Sequence, residues 1–218
     1  RLLNMDSKRI AKGQDFDQES GELKKDGLIA LSESQAKALV GEINPGPWVV
    51  SNIDEKPKTS NPKPPFTTST LQQEAARKLK FNTRKTMSTA QRLYEAGLIT
   101  YMRTDSINLS DEAINASRDI INKDFGSDYL PDSPRQYKGK VKNAQEAHEA
   151  IRPAGRKFKT IKEIKDSMGA DQSNLYELIW KRTIASQMKS AKLKQTSITI
   201  NNQNTEFRAS GQVILFGG

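Results

Sequence analysis

The pattern of apolar and polar positions divides the chain into β-rich ends and a helical middle. The segment 48–53, Trp-Val-Val-Ser-Asn-Ile, is aromatic and β-branched and predicts a strand. Alternation from 196 to 216 predicts two or three antiparallel strands. Helical spacing of apolar residues predicts helices over about 33–42, 69–79, 86–96, 108–123 and 171–188. We therefore predict an α+β protein.

Local signals near the centre indicate how the middle helices begin and end. Ser69 with Gln72 fits a capping box, and Ser110 is a candidate N-cap. Gly97 follows the helix over 86–96 as its C-terminal stop. Two short helices followed by a strand resemble a winged helix-turn-helix arrangement, although many folds that do not bind DNA share this spacing.

Two proline-bearing connectors suggest the domain organisation. Residues 56–65 contain four prolines and predict an extended linker, and 153–159 predicts a return linker. We expect 1–60 to be the first part of a β-rich gate or hinge domain and 61–157 to be the helical domain. Residues 158–218 would be the return part. The architecture is thus a helical, winged-helix-like module inserted into a discontinuous antiparallel β-rich domain.

Composition limits the chemistry that the chain can perform. With no cysteine and one histidine, the 218 residues cannot form a disulfide, a thiolate metal site or a histidine cluster. Any metal would sit on carboxylates, which favours Mg²⁺. A membrane-spanning helix needs about 18 consecutive apolar residues, and no apolar run in the sequence approaches that length. The chain begins at Arg1 and ends in a strand pattern, so we expect both ends to be cuts through a longer protein.

The net charge of +9 is concentrated in the middle. Residues 58–160 hold 19 basic and 11 acidic residues, whereas the flanks together hold 16 and 15. A basic middle between neutral flanks indicates contact with a polyanion, the alternative being a merely basic surface. Four cations cluster around the helix pair as phosphate contacts would: Arg84, Lys85, Arg92 and Arg103.

The segment 97–106, Gly-Leu-Ile-Thr-Tyr-Met-Arg-Thr-Asp-Ser, is the strongest candidate for chemistry. If 98–103 is extended, Ile99, Tyr101 and Arg103 share one face, and Tyr101 and Arg103 stand roughly 7 Å apart. One phosphate could then meet both the tyrosine oxygen and the guanidinium. The alternative is a half-buried strand tyrosine beside a solvated arginine.

Leu-Ile-Thr-Tyr-Met-Arg-Thr-Asp-Ser at 98–106 closely resembles the active-site segment of bacterial type IA DNA topoisomerases of the topoisomerase I group. Residues 65–73, Pro-Phe-Thr-Thr-Ser-Thr-Leu-Gln-Gln, and 144–153, Ala-Gln-Glu-Ala-His-Glu-Ala-Ile-Arg-Pro, are similar to two further signature blocks in the same order. Weaker similarity runs from 175–180 to the end, so the resemblance covers nearly the whole chain.

The resemblance implies transient cleavage of one DNA strand. Tyr101 would attack a phosphodiester to give a 5′-phosphotyrosine and a free 3′-hydroxyl, with Arg103 holding the phosphate. Another segment would pass before resealing, which relaxes negative supercoils without ATP. His148, oriented by Asp105, would assist DNA binding or the positioning of the phosphate.

Five residues are predicted DNA contacts. They are Arg84, Lys85, Arg92, Thr100 and Arg152. For Arg152, a structural salt bridge is the alternative.

The resemblance also implies what lies outside this chain. Mg²⁺ would be bound by an N-terminal Toprim domain, and a C-terminal DNA-binding region would follow, so we expect the fragment alone not to relax plasmids. Its partner would be single-stranded or negatively supercoiled DNA at the nucleoid in the bacterial cytoplasm, with no membrane. A non-enzymatic winged-helix DNA-binding domain is the alternative. It predicts duplex recognition, no covalent adduct, and a Tyr101 that Phe can replace.

Overall fold

The computed structural model describes residues 1–43, 46–137 and 149–218. The chain forms two compact units. Unit 1 comprises Arg1–Thr59 and Lys192–Gly217, and unit 2 comprises Ser60–Ala191 together with Gly218. The sequence of unit 2 is therefore inserted into that of unit 1.

Unit 1 is built on a five-stranded sheet. Its strands are β1 (Leu2–Met5), β2 (Lys8–Arg9), β3 (Val49–Ser60), β4 (Ala191–Asn202) and β5 (Thr205–Phe216). Their order across the sheet is β2-β1-β5-β4-β3, and the pairs β1/β2, β1/β5 and β4/β5 are antiparallel. The predicted C-terminal strands are thus a long hairpin. Helix α1 (Glu33–Ile43) confirms the helix predicted over about 33–42, and it begins after Ser32, whose hydroxyl accepts the Gln35 N–H at 3.3 Å.

Unit 2 is helical and centres on its last helix. It contains α2 (Thr68–Leu79), α3 (Thr83–Glu95), α4 (Asp111–Asp124), α5 (Ile161–Met168) and α6 (Ala170–Ser186), with a 3-10 turn at Ser127–Tyr129. Helix α6 contacts each of the other four helices. Its buried residues include Leu175, Tyr176 and Ile179. Its buried residues also include the polar Gln172, Ser173 and Thr183, because a helix contacted from several sides buries more than one apolar stripe.

The core of unit 2 joins helix faces to short loop segments. Members from helices include Leu71, Leu93 and Ile164, and members from loops include Phe66, Ile99, Met102 and Ile151. Ile99, Met102 and Ile151 belong to the signature segments around Tyr101. The loops that carry the candidate site are therefore part of the packed core and not attached to its surface.

The α+β class and the antiparallel sheet are confirmed, but the winged-helix detail is not. After α3 the predicted strand over 98–103 reduces to one isolated bridge between Ile99 and Pro153. Within the described residues no hairpin follows the α2–α3 pair. The segment makes its backbone hydrogen bonds with two different neighbours, so it cannot pair continuously with one strand.

One local prediction was also wrong, and one helix was missed. The N-cap of α2 is Thr67, which forms a capping box with Thr70, and not Ser69 with Gln72. Helix α5 lies between the predicted linker over 153–159 and the predicted helix over 171–188, where no element was predicted, although Thr160 and Glu163 cap it reciprocally in a recognisable Thr-x-x-Glu pattern. Because α5 packs on α6, the compact helical unit continues to residue 191, beyond the predicted return at 158.

Candidate active site

Three short segments, each from one signature block, meet at the candidate site. The Ile151 N–H donates to the Phe66 carbonyl at 2.9 Å, which joins the first block to the third. The Thr100 N–H donates to the Arg152 carbonyl at 2.9 Å, and the Ala154 N–H donates to the Leu98 carbonyl at 2.9 Å. Each segment is too short for a strand, so neighbouring segments satisfy its buried backbone groups.

Gly97 turns the chain from α3 into the site. The Leu98 N–H donates to the Leu93 carbonyl at 2.9 Å and the Gly97 N–H to the Tyr94 carbonyl at 2.8 Å, which is the Schellman pattern. Gly97 has φ of +69°, a conformation that other residues rarely adopt. The predicted helix stop at Gly97 is confirmed, and it places the start of the 98–106 segment close to the end of α3.

Thr68 binds the same segment from the side of α2. Its hydroxyl donates to the Met102 carbonyl at 2.8 Å, with the Thr104 carbonyl at 3.1 Å. The hydroxyl also accepts the Thr104 N–H at 2.9 Å, and the Thr68 N–H donates to the Thr104 carbonyl at 2.9 Å. The backbone on both sides of Arg103 is thereby hydrogen-bonded to one threonine.

The side chains of this segment divide between core and solvent. Ile99 and Met102 are 2% and 1% exposed, whereas Tyr101 is 49% exposed and Arg103 and Asp105 are also exposed. The predicted face that Ile99 shares with Tyr101 and Arg103 is therefore wrong, because the backbone does not alternate as a strand. Tyr101 and Arg103 nevertheless both face solvent, as attack on a bound phosphate requires.

Tyr101 lies against a second tyrosine ring. The Tyr94 ring meets it edge-on, with 5.3 Å between centroids and 66° between planes. Among the described residues, no group hydrogen-bonds the Tyr101 hydroxyl, and none forms an ion pair with Arg103 or Asp105. The phenol, the guanidinium and the carboxylate are thus all available to a ligand or to residues outside the described ranges.

Arg152 is committed to a buried cluster. Its Nε and Nη2 donate to the two carboxylate oxygens of Glu149 at 2.8 and 3.0 Å, and Nη1 donates to the Pro153 carbonyl at 2.8 Å. Ser110, the N-cap of α4, donates its N–H to Glu149 at 2.7 Å. Thr100 adds a hydroxyl bond to the Ala150 carbonyl at 2.7 Å. Arg152 therefore forms the alternative structural salt bridge.

The Glu149 carboxyl has a perturbed pKa. Burial raises it, but hydrogen bonds from Arg152 and Ser110 outweigh burial, so the net pKa lies below the usual value. Glu149 is therefore a carboxylate at neutral pH. Direct DNA contacts by Arg152 and Thr100 remain predictions, because both side chains already bond to protein groups.

The predicted cations on α3 differ in availability. Arg84 and Arg92 are exposed and have no ion-pair partner among the described residues. Two helical turns separate them, about 12 Å along the helix. Lys85 instead pairs with Asp171 at 2.8 Å and lies 4.2 Å from the centre of the Phe81 ring. Arg84 and Arg92 are thus the better candidates for phosphate contacts.

Some functional features lie outside the described residues or were missed from the sequence. The predicted His148, with 144–147 of its block, falls in the undescribed part of the chain. The sequence analysis did not predict the contacts of Thr68 and Tyr94 with the 98–106 segment. The available indications were a threonine beside a helix cap and an aromatic residue three positions before Gly97. Among the described residues, no three His, Asp or Glu side chains cluster as metal ligands would. No helix there is long and apolar enough to cross a bilayer.

Comparison with known proteins defines the class to which this fold and site belong. The sequence model described as DNA topoisomerase matches residues 7–218, and the chain belongs to this family. The structure of full-length topoisomerase I from Thermotoga maritima is similar, with TM-score 0.71 and 35% identity over 89% of this chain and 32% of that chain.

Individual relatives carry a more specific name. DNA topoisomerase 1 of Streptomyces coelicolor is 49% identical over 223 residues, covering all of this chain and 23% of the relative. The proteins of that name from Synechocystis and Mycobacterium tuberculosis are 49% and 48% identical, each with 24% of its length covered. The chain thus spans about a quarter of the length of the curated relatives it matches.

Proposed function

We propose that this chain is the tyrosine-bearing part of a type IA DNA topoisomerase. Tyr101 attacks a phosphodiester of single-stranded DNA, and Arg103 holds the phosphate. One observation carries the proposal: an exposed tyrosine, whose hydroxyl bonds to no other residue that the structure describes, lies two residues from an exposed arginine on backbone fixed by the core. Family membership supports the same assignment.

The reaction is a transesterification at phosphorus. As the Tyr101 oxygen bonds to phosphorus it loses its proton, and the bond to the 3′-oxygen breaks, so that oxygen leaves as a hydroxyl. Arg103 favours both the developing phenolate and the transition-state charge, since a guanidinium can hold two phosphate oxygens. The reverse attack by the 3′-hydroxyl reseals the strand. No ATP is required, because the phosphotyrosine conserves the phosphodiester bond energy.

The wider activity belongs to the longer protein. We propose that it passes a DNA segment through the break, relaxes negatively supercoiled DNA at the bacterial nucleoid in the cytoplasm, and uses Mg²⁺ bound by its Toprim domain. The described residues of this chain offer no carboxylate cluster that fits Mg²⁺, so no step above depends on the metal. We propose that His148, oriented by Asp105, helps to position the phosphate. Arg84 and Arg92 would bind the phosphates of the same DNA strand.

Trapping the covalent adduct tests the proposal. The full-length protein is incubated with a single-stranded oligonucleotide and then denatured. The oligonucleotide is labelled at its 3′ end, because a 5′-phosphotyrosine joins the protein to the fragment that carries this end. Tyr101→Phe should abolish the labelled band while single-strand affinity changes little. Arg103→Ala should slow cleavage by about 10²-fold, and Arg103→Lys should recover only part of that loss.

The same experiment excludes or supports the alternative. A winged-helix DNA-binding domain would bind a specific duplex, form no adduct and tolerate Tyr101→Phe. An adduct of normal yield in the Phe variant contradicts the nucleophile assignment.

A further inference from the structure

The residues that surround Arg103 are fixed by a side chain from another element. Met102 and Thr104 bind Thr68 through three backbone groups, whereas the Arg103 side chain is exposed. Thr68 is the first residue of α2, and the neighbouring Thr67 already caps that helix. The Thr68 hydroxyl is therefore not needed to cap the helix and is used on the 102–104 segment.

We infer that Thr68 is a positioning residue that sets where Arg103 stands relative to Tyr101. The inference rests on the proposed function, since it requires Tyr101 and Arg103 to act on one phosphate. Met102 is anchored in the core between them, but core packing fixes a side chain and leaves the peptide planes on either side free to tilt. The Thr68 hydroxyl bonds the Met102 carbonyl and the Thr104 N–H, which fixes the peptide planes that flank Arg103.

Losing this hydroxyl has a defined effect. The Thr104 N–H loses its acceptor and the Met102 carbonyl loses its donor, so the segment relaxes away from α2. Displacing a catalytic group by about 1 Å can slow a reaction by about 10²-fold. Binding of the strand should change far less, because phosphate contacts on α3 do not depend on this segment.

Thr70 provides a matched control on the same helix. Its hydroxyl accepts the Thr67 N–H at 2.9 Å and donates to the Thr67 carbonyl at 3.2 Å, and it forms no hydrogen bond with the described 98–106 segment. Thr70→Val and Thr68→Val each remove one hydroxyl from the first turn of α2. A purely structural role for Thr68 predicts similar behaviour of the two variants.

The test measures single-turnover cleavage of a 3′-labelled oligonucleotide by the full-length protein. Thr68→Val should cleave at least about tenfold more slowly at saturating DNA, with half-saturation changed by less than about twofold. Thr68→Ser should return to within about threefold of the native rate, and Thr70→Val should stay within about twofold. Thr68→Ala is measured beside Thr68→Val, with the same expectations, in case the valine does not fit.

A double-mutant cycle connects the effect to Arg103. In an Arg103→Ala background, Thr68→Val should slow cleavage by less than about twofold, because the group that it positions is gone. A native cleavage rate in both Thr68→Val and Thr68→Ala, or failure of Thr68→Ser to recover the rate, overturns the inference. So does a full additional loss in the Arg103→Ala background.

Tyr101→Phe separates the two levels of the argument. If it forms no adduct while Thr68→Val cleaves normally, only the role of Thr68 is wrong. If it still forms the adduct, the nucleophile assignment fails, and the role of Thr68 fails with it.

Discussion

Removing the charge of Glu149 should destabilise the helical unit. Glu149→Gln leaves Arg152 with one oxygen where it had a bidentate carboxylate, and the new NH₂ group faces the guanidinium. The Arg152 side chain is 8% exposed and that of Glu149 is 26% exposed. Breaking a fully buried pair costs about 3–5 kcal/mol. Because Glu149 is partly solvated and glutamine keeps one acceptor, we expect a loss of about 2–3 kcal/mol.

The loss should depend on pH in a predictable direction. The folded pKa of Glu149 lies below its usual value, with burial opposing the shift and bonds from Arg152 and Ser110 producing it. A lowered folded pKa contributes stability that is present above the unfolded pKa, about 4.3 for Glu. That contribution is lost as the pH falls through the folded pKa. The difference between native protein and Glu149→Gln should therefore be full at pH 7 and shrink below about pH 4.

Trp180 provides a signal confined to the helical unit. The chain has two tryptophans, Trp48 in unit 1 and Trp180 in α6. A Trp48→Phe background leaves Trp180 as the only tryptophan, and urea unfolding of the 218-residue chain is followed by its fluorescence. Glu112→Gln is the control, because its pair with Arg156 is exposed and should contribute less than about 1 kcal/mol. Equal losses in both glutamine variants, or a pH-independent difference, would refute the reasoning.

The remaining predictions concern the surface around Tyr101. Tyr94→Ala should slow cleavage in the full-length protein by about three- to tenfold, because it removes an edge-on ring contact worth about 0.5–1.5 kcal/mol. Tyr94→Phe keeps the ring and should cleave at the native rate. Equal effects of the two variants would assign the role to the hydroxyl. Arg84→Gln and Arg92→Gln should each lower the slope of log affinity against log salt for single-stranded DNA by about 0.7, and Lys85→Gln by less. A larger effect at Lys85 would contradict the assignment.

Sequence patterns located the helices better than they located the site. Ser110 and Gly97 mark helix ends through interactions within about five residues, so local chemistry sufficed to find them. The chain around Tyr101 follows no period. Its conformation depends on Thr68 and on residues 150–153, which are about 35 and 50 positions away. Spacing within 98–103 contains no information about those partners, and a strand was therefore predicted where none forms.

Charge counts showed the same division. The basic excess of the middle segment was visible in the sequence, but the availability of each cation was not. Lys85 is paired with Asp171 on α6, and Arg152 is buried against Glu149. Both are predicted from the sequence to contact DNA, as Arg84 is, because the sequence does not show which cations form ion pairs within the fold. The resemblance predicts Tyr101 as the nucleophile, and the structure adds that this side chain is half exposed.

Met102 connects the proposed reactive groups to the packed interior. It lies between the exposed Tyr101 and Arg103 and packs in the same cluster as Phe66 and Leu71. A change of volume in the side chains that pack against Met102 should therefore shift the main chain that carries Tyr101 and Arg103. Under the proposed function, substitutions that repack the interior beside Met102 should therefore change the cleavage rate as well as the thermal stability of the unit.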